Sequence, residues 1–272
     1  MAKWFSCCTV FNELDMLELR LETQGDAVDT HVWVEAGMTH SGVTRQPLVG
    51  QALAAGRFAA YEHKIIYHYL PTLPGDNSWP REAAQRAALA DAVRDTITGE
   101  DWFCVSDADE IVRADEIAGL KALPPGTADA AQFELAFYYY AMNFRVKQGW
   151  GVGACRWNVS QDANAIRRCE FGGVQPVVFQ DGGWHLSYFG DAAFNYEKVT
   201  SFLHHDWLEH LPMTEASIRA AMEEGMDLWR RDLPIEVVAV PDNLPPPMVD
   251  HPEKYVALGW LKPEYLAQRK AI

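Results

Sequence analysis

Short hydrophobic runs alternate with longer, more polar segments along the first half of the chain. The runs are rich in β-branched and aromatic residues, which is typical of buried strands. They are Trp4 to Phe11, His31 to Glu35, Lys64 to Tyr69 and Trp102 to Ser106. Strands that alternate with helices predict an α/β fold, a three-layer sandwich around a mostly parallel central sheet.

The segments between these runs have the periodicity of helices. In the first of them, Leu14, Leu17 and Leu21 form an apolar stripe. We expect Asn12 to cap the start of this helix and Gly25 to end it. Two further helices are predicted in this half, over Gln51 to Ala60 and over Arg81 to Thr98 with Pro80 at its first position.

The second half combines strands with long polar connections and then helices. The strands are predicted over Gln132 to Ala141, Trp150 to Trp157 and Val174 to Phe179, and the helices over Tyr196 to His205, Thr214 to Arg230, Glu253 to Leu258 and Pro263 to Lys270. Between the last helices, Pro245, Pro246 and Pro247 predict an extended segment. Because no linker or repeat divides the chain, we expect a single domain over 1–272, with a first half 1–130 and a second half 131–272.

Composition excludes several classes of protein. The chain has 272 residues and a formal net charge of −15, from 23 Lys and Arg against 38 Asp and Glu. This acidity argues against nucleic-acid binding, which needs many phosphate-neutralising cations. The 12% of aromatic residues supplies a core and argues against disorder. No apolar stretch reaches the roughly 18 residues of a membrane span, and five cysteines without CxxC spacing indicate free thiols in a reducing cytoplasm.

Asp107 and Asp109 follow directly after the buried strand predicted at Trp102 to Ser106. Ligands of parallel α/β sheets gather at the carboxyl ends of the strands. Paired carboxylates at that place can bind one hard divalent cation, Mn²⁺ or Mg²⁺, with positions left open for substrate phosphates. A solvated acidic turn is the alternative interpretation. His185 is a candidate third metal ligand, with a structural histidine as its alternative.

Two dipeptides in the second half of the chain add candidate contacts to a ligand. Arg167 and Arg168 can clamp a diphosphate, because a guanidinium group matches phosphate oxygens bidentately. A solvated basic pair is the alternative. Gly182 and Gly183, which precede Trp184, would let backbone or ligand approach closely.

Several short motifs in a fixed order identify a resemblance. They are Phe11-Asn12-Glu13-Leu14-Asp15, Val34-Glu35-Ala36, Trp79-Pro80-Arg81-Glu82 with Gln85-Arg86, Ser106-Asp107-Ala108-Asp109-Glu110-Ile111, Gly183-Trp184-His185-Leu186-Ser187-Tyr188-Phe189-Gly190 and Glu223-Glu224-Gly225-Met226-Asp227-Leu228. In these motifs the chain resembles glycosyltransferase family 17, the family of β-1,4-mannosyl-glycoprotein 4-β-N-acetylglucosaminyltransferases. The resemblance runs from about Phe5 to Asp232, and the order of separate motifs makes it more specific than any single one.

The resemblance implies a glycosyltransferase-A fold and an inverting transfer of N-acetylglucosamine from a UDP-sugar donor, with UDP-N-acetylglucosamine expected. It assigns nucleotide-sugar binding to the first half and the acceptor to the second. Without a membrane anchor, we expect a bacterial, cytoplasmic member of the family. Its acceptor would then be a bacterial glycan, a lipid-linked sugar or a small glycoside.

The resemblance also suggests roles for individual residues. The nucleotide-sugar-binding set is Phe11, Asn12, Glu13, Glu35, Arg86, Asp107, Arg167, Arg168 and Trp184. The metal set is Asp107, Asp109 and His185, with Mn²⁺ or Mg²⁺ as the cofactor. For Arg86, the alternatives are a phosphate contact and an ion pair that steadies Asp107.

Inversion requires a carboxylate base within hydrogen-bond reach of the acceptor hydroxyl. Asp191 is the first candidate, with Asp181 and Glu170 behind it, and Glu110 would orient the ligands around the metal. Two other functions stay open at this point. A metal-dependent phosphodiesterase or nucleotidyltransferase would release UMP or pyrophosphate, and a non-catalytic sugar-binding or nucleotide-sugar-binding protein would keep the fold without turnover.

Overall fold

The computed structural model describes residues 2–124, 126–202, 208, 210–239 and 242–269. The chain divides into two compact units. The first contains the residues up to Leu135 and Gly151–Gly183, and the second contains Ala136–Trp150 and Trp184–Ile272. The first unit therefore includes residues 151–183, which the sequence analysis places in the second half.

Strands in the described part of the chain alternate with helices up to β4, as the hydrophobic runs predict. Their bounds are β1 (Trp4–Val10), β2 (Thr30–Ala36), β3 (Ile65–Leu70), β4 (Trp102–Asp107), β5 (Glu110–Val112), β6 (Ala130–Tyr139), β7 (Phe144–Arg156), β8 (Val177–Ser187) and β9 (Ile235–Val237). The strands other than β9 follow the order β3-β2-β1-β4-β7-β6-β8-β5. Strands β3, β2, β1 and β4 are parallel to their neighbours, and β7 joins β4 antiparallel.

The register of the parallel strands determines which residues meet at the carboxyl edge of the sheet. Val10 at the end of β1 pairs with Glu35 of β2. On its other side, Thr9 pairs with Asp107 at the end of β4. The segments that follow β1, β2 and β4 therefore leave the sheet at the same edge, where ligands of such sheets bind.

Helices cover both faces of the parallel strands. The helix bounds are α1 (Leu14–Gln24), α2 (Leu48–Ala54), α3 (Ser78–Val93), α4 (Ala114–Ala122), α5 (Ala163–Arg167), α6 (Ala192–Ser201), α7 (Glu215–Glu224), α8 (Pro246–Asp250), α9 (Pro252–Ala257) and α10 (Pro263–Arg269). Successive strand residues point to opposite faces, so Cys7 packs in a buried cluster with Leu89 of α3, while Cys8 packs with Leu17 of α1. This confirms the predicted α/β fold around a parallel sheet for β1 to β4, to which β7 adds an antiparallel strand.

The second unit contains the remaining ends of β6, β7 and β8 together with β9, which pairs antiparallel with β7. Its core contains several aromatic rings. Tyr139, Tyr140 and Phe144 lie in one buried cluster with Ile218 of α7 and with Trp229. A capping box at Thr214 and Ser217 begins α7, and Gly225, with a φ of 67°, ends it.

Several element boundaries differ from the sequence-based prediction. Helix α3 begins at Ser78 rather than after Pro80, because the Asn77 side chain caps it by accepting a hydrogen bond from the backbone N–H of Trp79. Helix α2 ends at Ala54, and α4 was not predicted. Pro246 and Pro247 begin helix α8 instead of an extended segment. Prolines are tolerated there because the first helical N–H groups have no intrahelical acceptor.

Two further differences concern the second unit. Strand β8 continues to Ser187 and includes the predicted ligand-binding dipeptide Trp184-His185. The helix predicted over Tyr196 to His205 ends at Ser201, and His205 lies outside the described residues. No helix in the described part of the chain has the length and apolar character needed to cross a membrane.

Candidate active site

A tight turn joins β4 to β5 and contains the three carboxylates of the predicted acidic motif. Asp107 ends β4, Asp109 lies in the turn and Glu110 begins β5. The Glu110 carboxylate turns back and accepts a hydrogen bond from the backbone N–H of Asp107 at 2.8 Å. Because Asp107 pairs with Thr9 in the parallel register, the turn lies at the carboxyl edge of the sheet.

Arg20 of α1 is fully buried and holds the backbone of this turn. Its Nη1 donates to the carbonyl oxygens of Asp107 at 3.2 Å and Glu110 at 2.6 Å. Its Nη2 donates to the hydroxyl oxygens of Ser6 on β1 at 2.8 Å and Ser106 on β4 at 2.7 Å. One side chain therefore connects α1, β1, β4 and the start of β5.

Two further arginines contact the carboxylates themselves. Arg167 Nη2 donates to Oδ2 of Asp107 at 2.9 Å and to Oε1 of Glu110 at 2.7 Å. Arg86 Nη2 lies 3.7 Å from Oδ1 of Asp107 and 2.5 Å from Oε1 of Glu82. The structure thus brings together four residues that the sequence selected, in a network of alternating charges.

The three carboxylates differ in exposure. The Asp107 side chain is 40% exposed, whereas Asp109 is 6% exposed and Glu110 is fully buried. Burial raises the pKa of Glu110 to about 7; the Arg167 guanidinium opposes this rise and the Asp107 carboxylate adds to it. Burial also disfavours the charged form of Arg167, but Asp107 and Glu110 together hold its pKa above the ordinary value. Asp107 is therefore the carboxylate best placed to meet a ligand.

The ends of β1 and β2 carry the residues expected to face the nucleotide. Glu13 accepts hydrogen bonds from the backbone N–H groups of Phe11 at 2.9 Å and Asn12 at 3.2 Å, and it is the N-cap residue of α1 that Asn12 was expected to be. Arg45 lies over the Phe11 ring, 4.1 Å from its centroid, and pairs with Glu35 at 3.3 Å. These contacts tie the two strand ends together.

Glu35 is fully buried, and its carboxylate is used within the fold. It accepts hydrogen bonds from the backbone N–H groups of Val49 at 3.2 Å and Gly50 at 3.0 Å, at the start of α2. The Tyr67 hydroxyl donates a third hydrogen bond at 2.8 Å. Glu35 therefore positions α2 and Arg45 next to the sheet edge, and the expected direct contact with uridine stays a prediction.

Arg20 and Arg45 were not selected from the sequence. A signal for Arg20 exists, because it lies three residues after Leu17 and one before Leu21, on the apolar face of its helix. For Arg45, which follows a polar loop, no periodicity distinguishes it from a solvated arginine.

Other predicted residues lie on the surface of the first unit. Arg168 forms an exposed ion pair with Glu170 at 2.7 Å, which matches the alternative interpretation of a solvated basic residue. Asp181, with a 64% exposed side chain, pairs with Arg113 at 2.8 Å.

The remaining predicted residues belong to the second unit. Asp191 caps α6 by accepting a hydrogen bond from the backbone N–H of Phe194 at 2.8 Å through Oδ1. Trp184 is 1% exposed and its indole N–H donates to the Asn243 carbonyl, so its ring lies in the interior, and the expected contact with a ligand stays a prediction. His185 is also buried and stacks on Phe137 with ring centroids 4.3 Å apart.

Gly182 and Gly183, which precede Trp184, allow neighbouring strands of the first unit to pack closely. A Cβ atom at Gly182 would lie 2.6 Å from Cβ of Phe133, and one at Gly183 would lie 2.0 Å from the carbonyl oxygen of Ile111. Close approach of backbone, one of the two alternatives foreseen, therefore explains both glycines.

The acidic turn has the ligand chemistry of a hard cation. Carboxylate oxygens are the ligands that Mg²⁺ and Mn²⁺ prefer, and Asp107 and Asp109 supply them at the sheet edge. In the part of the chain that the structure describes, no group of three or more His, Cys, Asp or Glu side chains is arranged to hold a metal ion. A cation held by Asp107 and Asp109 would thus need further ligands besides these two carboxylates.

Comparison with known proteins identifies the family. The sequence model of glycosyltransferase family 17 matches residues 2–244. The chain belongs to glycosyltransferase family 17. The resemblance in the short motifs is thereby confirmed over nearly the whole chain.

Mammalian enzymes are similar to this chain over a shorter stretch. Human β-1,4-mannosyl-glycoprotein 4-β-N-acetylglucosaminyltransferase is 31% identical over 118 residues, which are 41% of this chain and 22% of the human protein. The rat enzyme of the same name is 31% identical over 116 residues, 40% of this chain and 22% of its own. The matched stretch therefore spans about a fifth of the length of these curated relatives.

A solved structure is similar at a lower level. A protein named as a glucose-1-phosphate thymidylyltransferase, from Bacillus anthracis in complex with sucrose, aligns with 50% of this chain and 55% of its own. The identity is 12% and the TM-score is 0.30. At that score the likeness identifies no fold.

Proposed function

We propose that this protein is a metal-dependent, inverting N-acetylglucosaminyltransferase of glycosyltransferase-A type. It would transfer N-acetylglucosamine from UDP-N-acetylglucosamine to a hydroxyl of a glycan or glycoside. The observation that carries the proposal is the family 17 match over residues 2–244, which includes the acidic turn and its arginines. The names of the human and rat relatives supply the sugar.

The position of the acidic turn supports a nucleotide-sugar site. It lies at the carboxyl edge of parallel strands, where nucleotides bind in open α/β sheets. In this proposal Asp107 and Asp109 hold Mn²⁺ or Mg²⁺, and the bound cation supplies Lewis-acid neutralisation of the charge that develops on the diphosphate leaving group. Arg20 keeps the turn in place through its backbone carbonyls, and so positions both carboxylates.

Arginines beside the turn support the binding of a diphosphate. Arg86 and Arg167 are each about a tenth exposed on their side chains and lie next to the exposed carboxylate of Asp107. A guanidinium group donates two parallel hydrogen bonds to phosphate oxygens and stays charged at all working pH values. These groups would orient the diphosphate, while Phe11 and Asn12, at the end of β1, would lie near the uridine.

The transfer itself needs a base on the acceptor side. The acceptor oxygen forms a bond to the anomeric carbon, the bond from that carbon to the UDP oxygen breaks, and the acceptor proton passes to a carboxylate. We assign this role to Asp191, whose Oδ1 caps α6 while Oδ2 has no hydrogen bond among the described residues. Asp181, exposed and paired with Arg113, is the second candidate.

The test compares two aspartate variants in one assay. Protein, Mn²⁺ and UDP-N-acetylglucosamine labelled in the sugar are incubated with glycan and glycoside acceptors, and the nucleotide product is identified. We expect UDP, and we expect Asp109→Asn to lower kcat at least about 100-fold, because it removes a carboxylate from the proposed metal site. Asp115→Asn, an exposed position on α4, makes the same charge change and should leave kcat within about twofold.

The nucleotide product separates the competing functions. Release of UMP or pyrophosphate in place of UDP would identify a phosphodiesterase or nucleotidyltransferase. Undiminished sugar transfer by Asp109→Asn would refute the metal site as proposed. Binding of the donor without any product, over all acceptors, would support a sugar-nucleotide-binding protein.

A further inference from the structure

Arginine side chains already pair with two carboxylates of the acidic turn. Asp107 and Glu110 share the Nη2 group of Arg167 at 2.9 and 2.7 Å. Arg86 lies 3.7 Å from the other oxygen of Asp107. A divalent cation that approaches Asp107 therefore meets a carboxylate with a positive partner at each oxygen.

Arg167 is held in this position by the fold. It is the last residue of α5, and the Asp162 side chain caps the start of that short helix through the backbone N–H groups of Asn164 and Ala165. The helix lies so close to β7 that a Cβ atom at Gly153 would lie 2.1 Å from the Ile166 carbonyl oxygen. The Arg167 side chain is only 12% exposed, so the fold fixes its position beside the carboxylates.

We propose that Arg167 is a resident counter-ion that competes with the divalent cation for Asp107. A guanidinium group and a metal ion both need the carboxylate oxygens, and each repels the other's charge. The protein without nucleotide would therefore bind the cation weakly, and a diphosphate, which attracts both positive groups, would draw Arg167 away and favour metal binding. This inference rests on the proposed function, since it assumes the cation at Asp107.

The test measures metal binding directly, without turnover. Mn²⁺ is titrated into the full chain in the absence of nucleotide, and the free ion is followed by electron paramagnetic resonance. Arg167→Gln is expected to bind Mn²⁺ at least about threefold more tightly than the wild type, which is the scale of one partly exposed ion pair. Arg168→Gln is the matched control, because the neighbouring Arg168 is exposed and paired with Glu170 instead.

A double variant distinguishes competition for Asp107 from the general electrostatic effect of removing a positive charge. Removal of any positive charge attracts cations, but only competition for one carboxylate depends on that carboxylate. In an Asp107→Asn background, Arg167→Gln is therefore expected to give no further gain in Mn²⁺ affinity. A gain of equal size with Arg168→Gln, or one that persists beside Asp107→Asn, would overturn the proposal.

Thermal unfolding of each variant shows whether it folds. Should Arg167→Gln not fold, Arg167→Lys replaces it, since lysine keeps the charge but lacks the planar fork that serves both carboxylates. A smaller gain in Mn²⁺ affinity is then expected, and no gain would contradict competition. Unchanged Mn²⁺ binding in all variants, with sugar transfer that still requires Mn²⁺, would refute the counter-ion role while leaving the transferase proposal standing.

Discussion

His31 is a titratable side chain with no hydrogen-bond partner at either ring nitrogen in the described structure. It is fully buried on β2, between Ser6 of β1 and Ile65 of β3. Burial, reinforced by the positive charges of Arg20 and Lys64, holds the pKa of His31 well below its ordinary value. The folded protein therefore keeps His31 neutral under conditions in which the unfolded chain binds a proton.

The stability of the protein should fall as the pH drops below about 6.5, the ordinary pKa of histidine. The unfolded state then binds one more proton than the folded state, which costs about 1.4 kcal/mol per pH unit. Between pH 7 and pH 5, the free energy of unfolding of the wild type should fall by about 2 kcal/mol more than that of His31→Leu. Urea unfolding at both pH values measures this, with His63→Gln as an exposed control. Parallel pH profiles for wild type and His31→Leu would contradict the prediction.

At the scale of elements, Arg20 is the side chain that joins helix α1 to the carboxyl edge of the sheet. Arg20→Met keeps the apolar stem but leaves two carbonyl groups and the hydroxyls of Ser6 and Ser106 without their buried donor. We expect a loss of at least about 3 kcal/mol in the free energy of unfolding. Arg57→Met is the control, because Arg57 binds the same helix through partly exposed ion pairs with Asp15 and Glu18, worth under about 1 kcal/mol each. Equal losses in urea unfolding would refute the special role of Arg20.

The same helix illustrates what could be predicted from the sequence. The stripe of Leu14, Leu17 and Leu21 predicted α1 and its buried face, because apolar spacing follows the helical repeat. Arg20 and Gln24 lie on that face too, yet long polar side chains are usually solvated, so hydropathy gave no reason to bury them. Their burial depends on acceptors from β1, β4 and β5, which only the folded chain brings together.

The position of the acidic turn could likewise be predicted from the sequence, whereas its contacts with arginine side chains could not. Asp107 and Asp109 could be placed because they follow a strand directly, and local order determines which edge of the sheet they occupy. Arg167 could be selected for its chemistry, but its contact with Asp107 joins residues 60 positions apart and depends on the packing of α5. The burial of Trp184 could not be predicted, because local sequence does not reveal that β8 continues to Ser187 and places the ring in the interior.

At the scale of the whole molecule, the negative net charge of the protein disfavours binding of the proposed anionic ligand. The net charge of −15 repels an anionic nucleotide sugar at long range, and salt reduces this repulsion over a distance of about 8 Å at physiological ionic strength. Arg20, Arg86 and Arg167 concentrate positive charge at the acidic turn, against this background. Binding should therefore depend on the local arginines together with a divalent cation, and not on the general field of the protein.

This balance makes nucleotide binding measurable through the stability of the fold. A ligand at about 100 times its dissociation constant stabilises the folded state by about 2.7 kcal/mol, which for a chain of this size raises Tm by roughly 5–10 °C. We expect such a rise with UDP-N-acetylglucosamine and Mn²⁺, and at most a small part of it with EDTA in place of the metal, because the cation must offset both the diphosphate and the acidic turn. GDP- and ADP-sugars at the same concentration control for uridine recognition. An equal rise with all three nucleotides would refute uridine specificity, and no rise with any of them would refute a nucleotide-sugar site at this edge of the sheet.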